Sequence, residues 1–204
     1  MAPPPIFGLL SRRYAHQYGL GVGCLAKLAV TQRNHALMNP NAVDKLRRPI
    51  TVDDYTNSRM IADPIRLLDC VMPCDGASGL VMMSAKRARA KGLKRFVVPR
   101  GYGERTNLNA TRNDADMTDN GHRIAGAKAF AAAGIRPSDV GSFHPYDDFI
   151  IAIMLNLEML GFCEPDQGCA FIREHDFGFA GNLPSGEEHA RASRGSIPHG
   201  CIGR

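Results

Sequence analysis

The sequence has no tryptophan, and aromatic side chains make up only 7% of its 204 residues. None is interleaved with the basic run described below and no nucleic-acid motif accompanies it, so nucleic acid is not an expected partner. A long hydrophobic run is also missing. The longest, Phe149 to Cys163, covers 15 residues and is broken by Asn156 and Glu158, whereas a membrane-spanning helix needs about 20. At the start, Met1-Ala2-Pro3-Pro4-Pro5 precedes a short apolar patch and then Arg12-Arg13, the wrong order for a secretory leader. The six cysteines lack the close pairs of a zinc site: Cys70 and Cys74 are four apart, Cys163 and Cys169 six apart. With no leader, a disulfide framework is not expected either, and buried or idle thiols are the default. A cytoplasmic chain without metal, cofactor or membrane span is therefore expected.

What is present suits a folded domain. At 22.2 kDa and 44% hydrophobic, the chain can bury a sizeable core. The net charge of +5 is mostly local, with Lys86, Arg87, Arg89, Lys91, Lys94 and Arg95 within ten residues on what reads as a helix after Ser84. A solvated outer face is the plain reading of such a run, and a phosphate contact the functional one.

The N-terminal third reads as helix and loop. Cys24 to Met38 carries apolar residues at Leu25, Leu28, Ala29 and Leu37 before Asn39-Pro40-Asn41 stops it. Thr51 with Asp54 resembles a capping box for a short helix through Tyr55. From Asp69 onward strands alternate with helices. Gly79–Met83, Phe96–Val98, Val140–His144 and Cys169–Ile172 read as strands, and residues 100–120 as a long polar loop. An alanine-rich helix spans Gly121 to Ala133 and ends at Gly134. A second helix, capped by Asp147 or Asp148, runs from Phe149 to Leu160 and ends at Gly161. It is apolar nearly all round, so it must be covered on every side and should lie between two layers. Ser185 to Arg204 reads as an irregular tail without apolar periodicity.

Several segments, in order, carry a resemblance. Asp75-Gly76-Ala77-Ser78-Gly79-Leu80-Val81-Met82-Met83-Ser84-Ala85 matches a D-G-A-x-A strand and its following helix. Ala132 to Val140 matches A-G-I-x-P-x-D-V, and Tyr146-Asp147-Asp148-Phe149 with Leu157 to Cys163 matches Y/H-D-x-F … L-E-x-L-G-F. Asn39-Pro40-Asn41-Ala42, Ile61 to Ile65 and Gly181-Asn182-Leu183-Pro184 fit the same pattern. The chain resembles the thiolase superfamily, in its lipid-transfer or sterol-carrier branch, over roughly residues 15 to 184. The fold that the resemblance implies is α/β, a layered α-β-α-β-α thiolase-like arrangement, incomplete. Residues 1–68 would be the end of the N-terminal half, 69–184 the C-terminal domain, and 185–204 a divergent tail, for which a shifted reading frame is the preferred account.

Thiolase chemistry needs a thiolate to hold the acyl group, donors for the thioester oxygen and a base for the α-carbon proton. None of the six cysteines sits where the family's nucleophile would. The family's Asn or His of N-E-A-F or H-D-C-F falls on Tyr146, which makes this residue the first catalytic candidate; the bland alternative is a packed tyrosine. His144, two residues earlier on the same strand face, is the second candidate, with a satisfied strand-end histidine as the alternative. Cys201 stands in a match to the late C-x-G motif, which chance also explains, because Gly, His and Cys co-occur in such tails. Three functions follow from the resemblance. The first is an acyltransferase of the thiolase type on acyl-CoA. The second is an aldol lyase on a steroid-like acyl-CoA, using Tyr146 and an OB-fold partner. The third is a non-catalytic binding subunit or gene remnant. Coenzyme A would enter as the substrate thioester, and a homodimer or hetero-oligomer is the expected assembly.

Overall fold

The computed structural model describes residues 3–73, 75, 77, 79–106, 117–119, 121–178 and 181. Helix α1, Pro3–Tyr18, was not anticipated by the apolar pattern, yet its three prolines occupy the first turn, where no intrahelical donor is needed. Helix α2 spans Val22–Met38, starting two residues earlier than expected, and its backbone ends at Asn39. Helix α3, Val52–Thr56, has the capping box in full: Thr51 Oγ1 accepts from Asp54 N at 3.1 Å, and Asp54 Oδ2 accepts from Thr51 N at 2.7 Å.

Strands β1, Met60–Ala62, and β2, Ile65–Arg66, form an antiparallel pair. Helix α4, Ala85–Ala90, is capped by the Ser84 hydroxyl as expected, and its basic side chains are exposed, with Arg89 lying over the Phe96 ring. Helix α5, His122–Ala133, ends at Gly134, whose φ of +66° lies in the left-handed region that glycine occupies without steric cost. Helix α6 spans Ile150–Met159 and helix α7 spans Gly168–Glu174.

Helix α6 organises the core. All its residues are buried except Ala152, which is half-buried. It packs against α2, α5 and α7, while Phe7 of α1 stacks on Phe149 with ring centroids 4.2 Å apart. Burying each of its Ile, Leu and Met side chains is worth about 1.5–3 kcal/mol. The cover expected on every side is therefore present, but among the described residues helices supply it. The α6 N-cap is Phe149; Asp148 Oδ1 accepts from the Phe149 amide at 3.1 Å.

Four strand expectations are corrected. Residues 79–83, 96–98 and 140–144 belong to no ladder among the described residues, and Leu80, Val81 and Val97 are more than four-fifths exposed. A strand is a pairing, and a short apolar run in one segment does not say which other segment will accept its hydrogen bonds. Residues 169–172 are helical. Gly168, Cys169, Phe171 and Ile172 are buried, the i, i+1, i+3, i+4 pattern of a helix face. Phe and Ile side by side had suggested a strand.

The cysteine expectation is corrected as well. Cys24 of α2 and Cys169 of α7 are joined in a disulfide with Cα atoms 5.3 Å apart. Cys70 and Cys163, outside that bond, are half-buried.

Two polar ties lock the core. Tyr14 of α1 donates its hydroxyl to Glu158 Oε1 at 2.5 Å, and the Gly168 amide donates to the same oxygen at 2.8 Å. Gly168 is required there: a Cβ would lie 2.6 Å from Glu158 Oε1 and 2.7 Å from Met154 Cγ. Burial pushes the Glu158 carboxyl above the usual carboxylate range, against the lowering effect of those donors. In the second tie, Tyr55 donates to Asp69 Oδ1 at 2.5 Å and Arg66 N donates to Asp69 Oδ2 at 2.7 Å.

A raised carboxyl binds its proton more tightly folded than unfolded. Its contribution is therefore fully present below about pH 4.3 and is lost as pH rises through the folded value. Glu158→Gln keeps the acceptor oxygen and should flatten that fall in chemical denaturation series run from pH 4 to 8. Tyr14→Phe should cost about 1–3 kcal/mol, because it strips a donor from a buried carboxyl.

Candidate functional site

Residues 140–148 lead into the α6 N-terminus and are held from two sides. Cys70 and Phe149 form an antiparallel bridge, and Val71 N donates to Asp148 O at 2.9 Å. The Asp69 tie described above fixes this neighbouring segment. From the other side, Gln32 Nε2 of α2 donates to Asp147 Oδ2 at 2.8 Å.

Extended backbone alternates its side chains, and the segment does so here. Phe143 and Asp147 turn toward the body, while His144 and Tyr146 share the open side. Tyr146 is 78% exposed, with its phenol open to solvent instead of enclosed in a cavity. His144 is exposed, and its Nε2 lies 2.6 Å from Ser142 Oγ. The two strongest sequence candidates thus stand on one face, two residues apart. Cys201 lies outside the described residues.

Behind that face are groups the sequence reading missed. His35, three residues after Gln32 on α2, hydrogen-bonds to the Phe177 backbone and interacts with Asp176 and His144. Among the described residues, His35 Nε2 and Gln32 Oε1 are buried without a hydrogen-bond partner. Burial holds the His35 imidazole below its ordinary value, with the His144 charge adding to that and Phe177 and Asp176 opposing it. The available signal was position. Gln32 falls on the stripe Leu25, Leu28, Ala29 and Ala36, where a polar residue must meet a partner. Leu37, expected in that stripe, is exposed, and Ala36 is buried in its stead.

The site offers a phenol and an imidazole as exchangeable-proton groups. Cys24 and Cys169 are bonded to each other, and burial, assisted by Glu158 and Glu164, pushes the Cys163 thiol up to about 12. No group of three or more His, Cys, Asp or Glu side chains among the described residues is placed to hold a metal ion, and none of the described helices is long and apolar enough to cross a membrane.

Residues 103–196 match the family described as thiolase C-terminal domain-like. A steroid side-chain-cleaving aldolase of Thermomonospora curvata is 32% identical over 205 residues, which is 98% of this chain and 52% of that protein. A 17-hydroxy-3-oxo-4-pregnene-20-carboxyl-CoA lyase of Mycobacterium tuberculosis is 33% identical over 188 residues, 89% of this chain and 48% of that protein. The solved Ltp2-ChsH2(DUF35) aldolase superposes with a TM-score of 0.77 at 31% identity, covering 90% of this chain and 49% of that one. The chain spans about half the length of the curated relatives it matches.

A base whose folded value is lowered contributes stability that is present above its unfolded value and lost as pH falls through the folded one. His35 should accordingly titrate below 6.5 in imidazole NMR spectra. Gln32→Leu should leave α2 intact yet loosen residues 144–148, seen as faster amide exchange at Asp147 and Asp148.

Proposed function

Because this chain belongs to the thiolase superfamily, we propose that its reaction is the aldol lyase one: cleavage of a 3-hydroxyacyl-CoA carrying a branched, steroid-like group at carbon 3. The observation that carries this reading is the presented phenol of Tyr146, an acid–base group that a retro-aldol cleavage can use without a thiol nucleophile. Similarity to two proteins named as a side-chain-cleaving aldolase and a CoA lyase supports the same choice over the acyltransferase.

In this reading Tyr146, acting as its phenolate, takes the proton of the 3-hydroxyl as the bond between carbons 2 and 3 breaks. The electron pair moves onto the thioester as an enolate, and the proton returns to carbon 2. A ketone and a shortened acyl-CoA leave, with no atom gained or lost. His144 acts as the second donor, toward the thioester oxygen. Coenzyme A enters as part of the substrate. An OB-fold partner belongs to this proposal, supported by the two-part name of the solved Ltp2-ChsH2(DUF35) aldolase. The division into 1–68, 69–184 and 185–204 belongs to it too.

A second reading, a non-catalytic assembly subunit, is favoured by the exposure of Leu80, Val81, Met82 and Val97. Incubation with a 3-hydroxyacyl-CoA branched at carbon 3 separates the readings. The lyase predicts ketone release that survives thiol alkylation and falls at least 100-fold in Tyr146→Phe, the scale of a lost general acid–base group. Exchange of acyl groups between thioesters, abolished by alkylation, would return the assignment to acyl transfer. Silence in both assays, with a stable complex on an OB-fold protein, would establish the assembly subunit.

A further inference from the structure

The most consequential feature left unused by that chemistry is the junction between α2 and α7. The two helices run parallel at their contact, with Cys24 meeting Cys169, and Lys27 Nζ, one turn further along, donating to Arg173 O at 2.9 Å and His175 O at 2.7 Å. Helix α7 has seven residues, far too few to be stable alone, so its order depends on what fastens it. The fastening joins positions 145 residues apart.

We propose that Cys24 and Cys169 are a thiol–disulfide modification site, a cystine clasp that holds α7 on α2 and is opened by dithiol reductants. In forming it, the two thiols lose two protons and two electrons as the sulfur–sulfur bond is made, and one molecule of a small disulfide such as glutathione disulfide is reduced to two thiols. The surroundings suit a stable clasp. Cys24 is fully buried and Cys169 nearly so, with Met154 Sδ 3.7 Å from Cys169 Sγ and the Gly21 carbonyl 3.0 Å from Cys24 Sγ. Cys163 is a poor competitor, because burial, assisted by Glu158 and Glu164, pushes its thiol up to about 12. Closing a loop of this length restricts the unfolded chain, which is how a cross-link stabilises. The inference is independent of the reaction proposed above.

The test uses the full chain incubated with glutathione disulfide, denatured, alkylated without reductant and digested. A linked peptide pair containing Cys24 and Cys169 is expected; both cysteines fully alkylated would overturn the proposal. In the native protein, dithiothreitol should lower Tm by on the order of 10 °C and raise amide exchange at Phe171 and Ile172 at least tenfold, with the interior of α6 little changed. Glutathione disulfide should reverse both effects. The Cys24→Ser/Cys169→Ser double variant should resemble the reduced protein and ignore the reductant. Should that variant fail to fold, the reversible response of the unaltered chain decides. Exchange in α7 that is the same before and after reduction would show that the bond fastens nothing.

Discussion

Covering α6 on every side is the constraint from which the rest of the architecture follows. A ten-residue helix that is apolar almost all round gains nothing by lying on a surface, so α1, α2, α5 and α7 gather about it. Its one carboxyl, Glu158, is tolerated inside because donors reach it from α1, from the Asp166 backbone and from the first residue of α7. That makes a buried charge site into a three-helix joint. The requirement for glycine at 168 is the steric trace of the same arrangement.

Position then passes outward from this core to Tyr146. The α6 N-terminus is fixed by the stacking of Phe7 on Phe149 and by the bridge to Cys70, which is itself held by the Asp69 tie to Tyr55. Residues 144–147 leave that anchored point and are caught again by Gln32. A phenol can therefore be well exposed and still be presented on a backbone restrained at both ends.

The parts of the fold legible in the sequence were those specified by neighbouring residues. Thr51 with Asp54, Ser84, Gly134 and the apolar run after Phe149 each act within one or two turns, and each appears where its pattern places it. What was illegible depends on distant partners. The segment 79–83 is a short apolar run like a strand, but pairing is a property of two segments. Residues 169–172 are helical because their buried positions fall on one helix face against the core. At the site, Tyr146 and His144 were reached through a motif, whereas Gln32 and His35 belong to no motif and are placed only by what α2 touches. Cys24 and Cys169 stand far apart in the chain, and no spacing rule joins them.

Those overlooked residues share one property. Cys24, Lys27, Gln32 and His35 follow one another at three- to five-residue steps along α2, spread over an arc of about 140°, the first two reaching α7 and the last two reaching the approach to Tyr146 and residues 176–177. The helix fixes the angles between them like the teeth of a ruled key. Inserting one residue between Lys27 and Gln32 would rotate the later teeth by about 100° relative to the earlier ones. No rearrangement within α2 could then seat both sets, so length in this stretch is under tighter restraint than identity at any one of its positions.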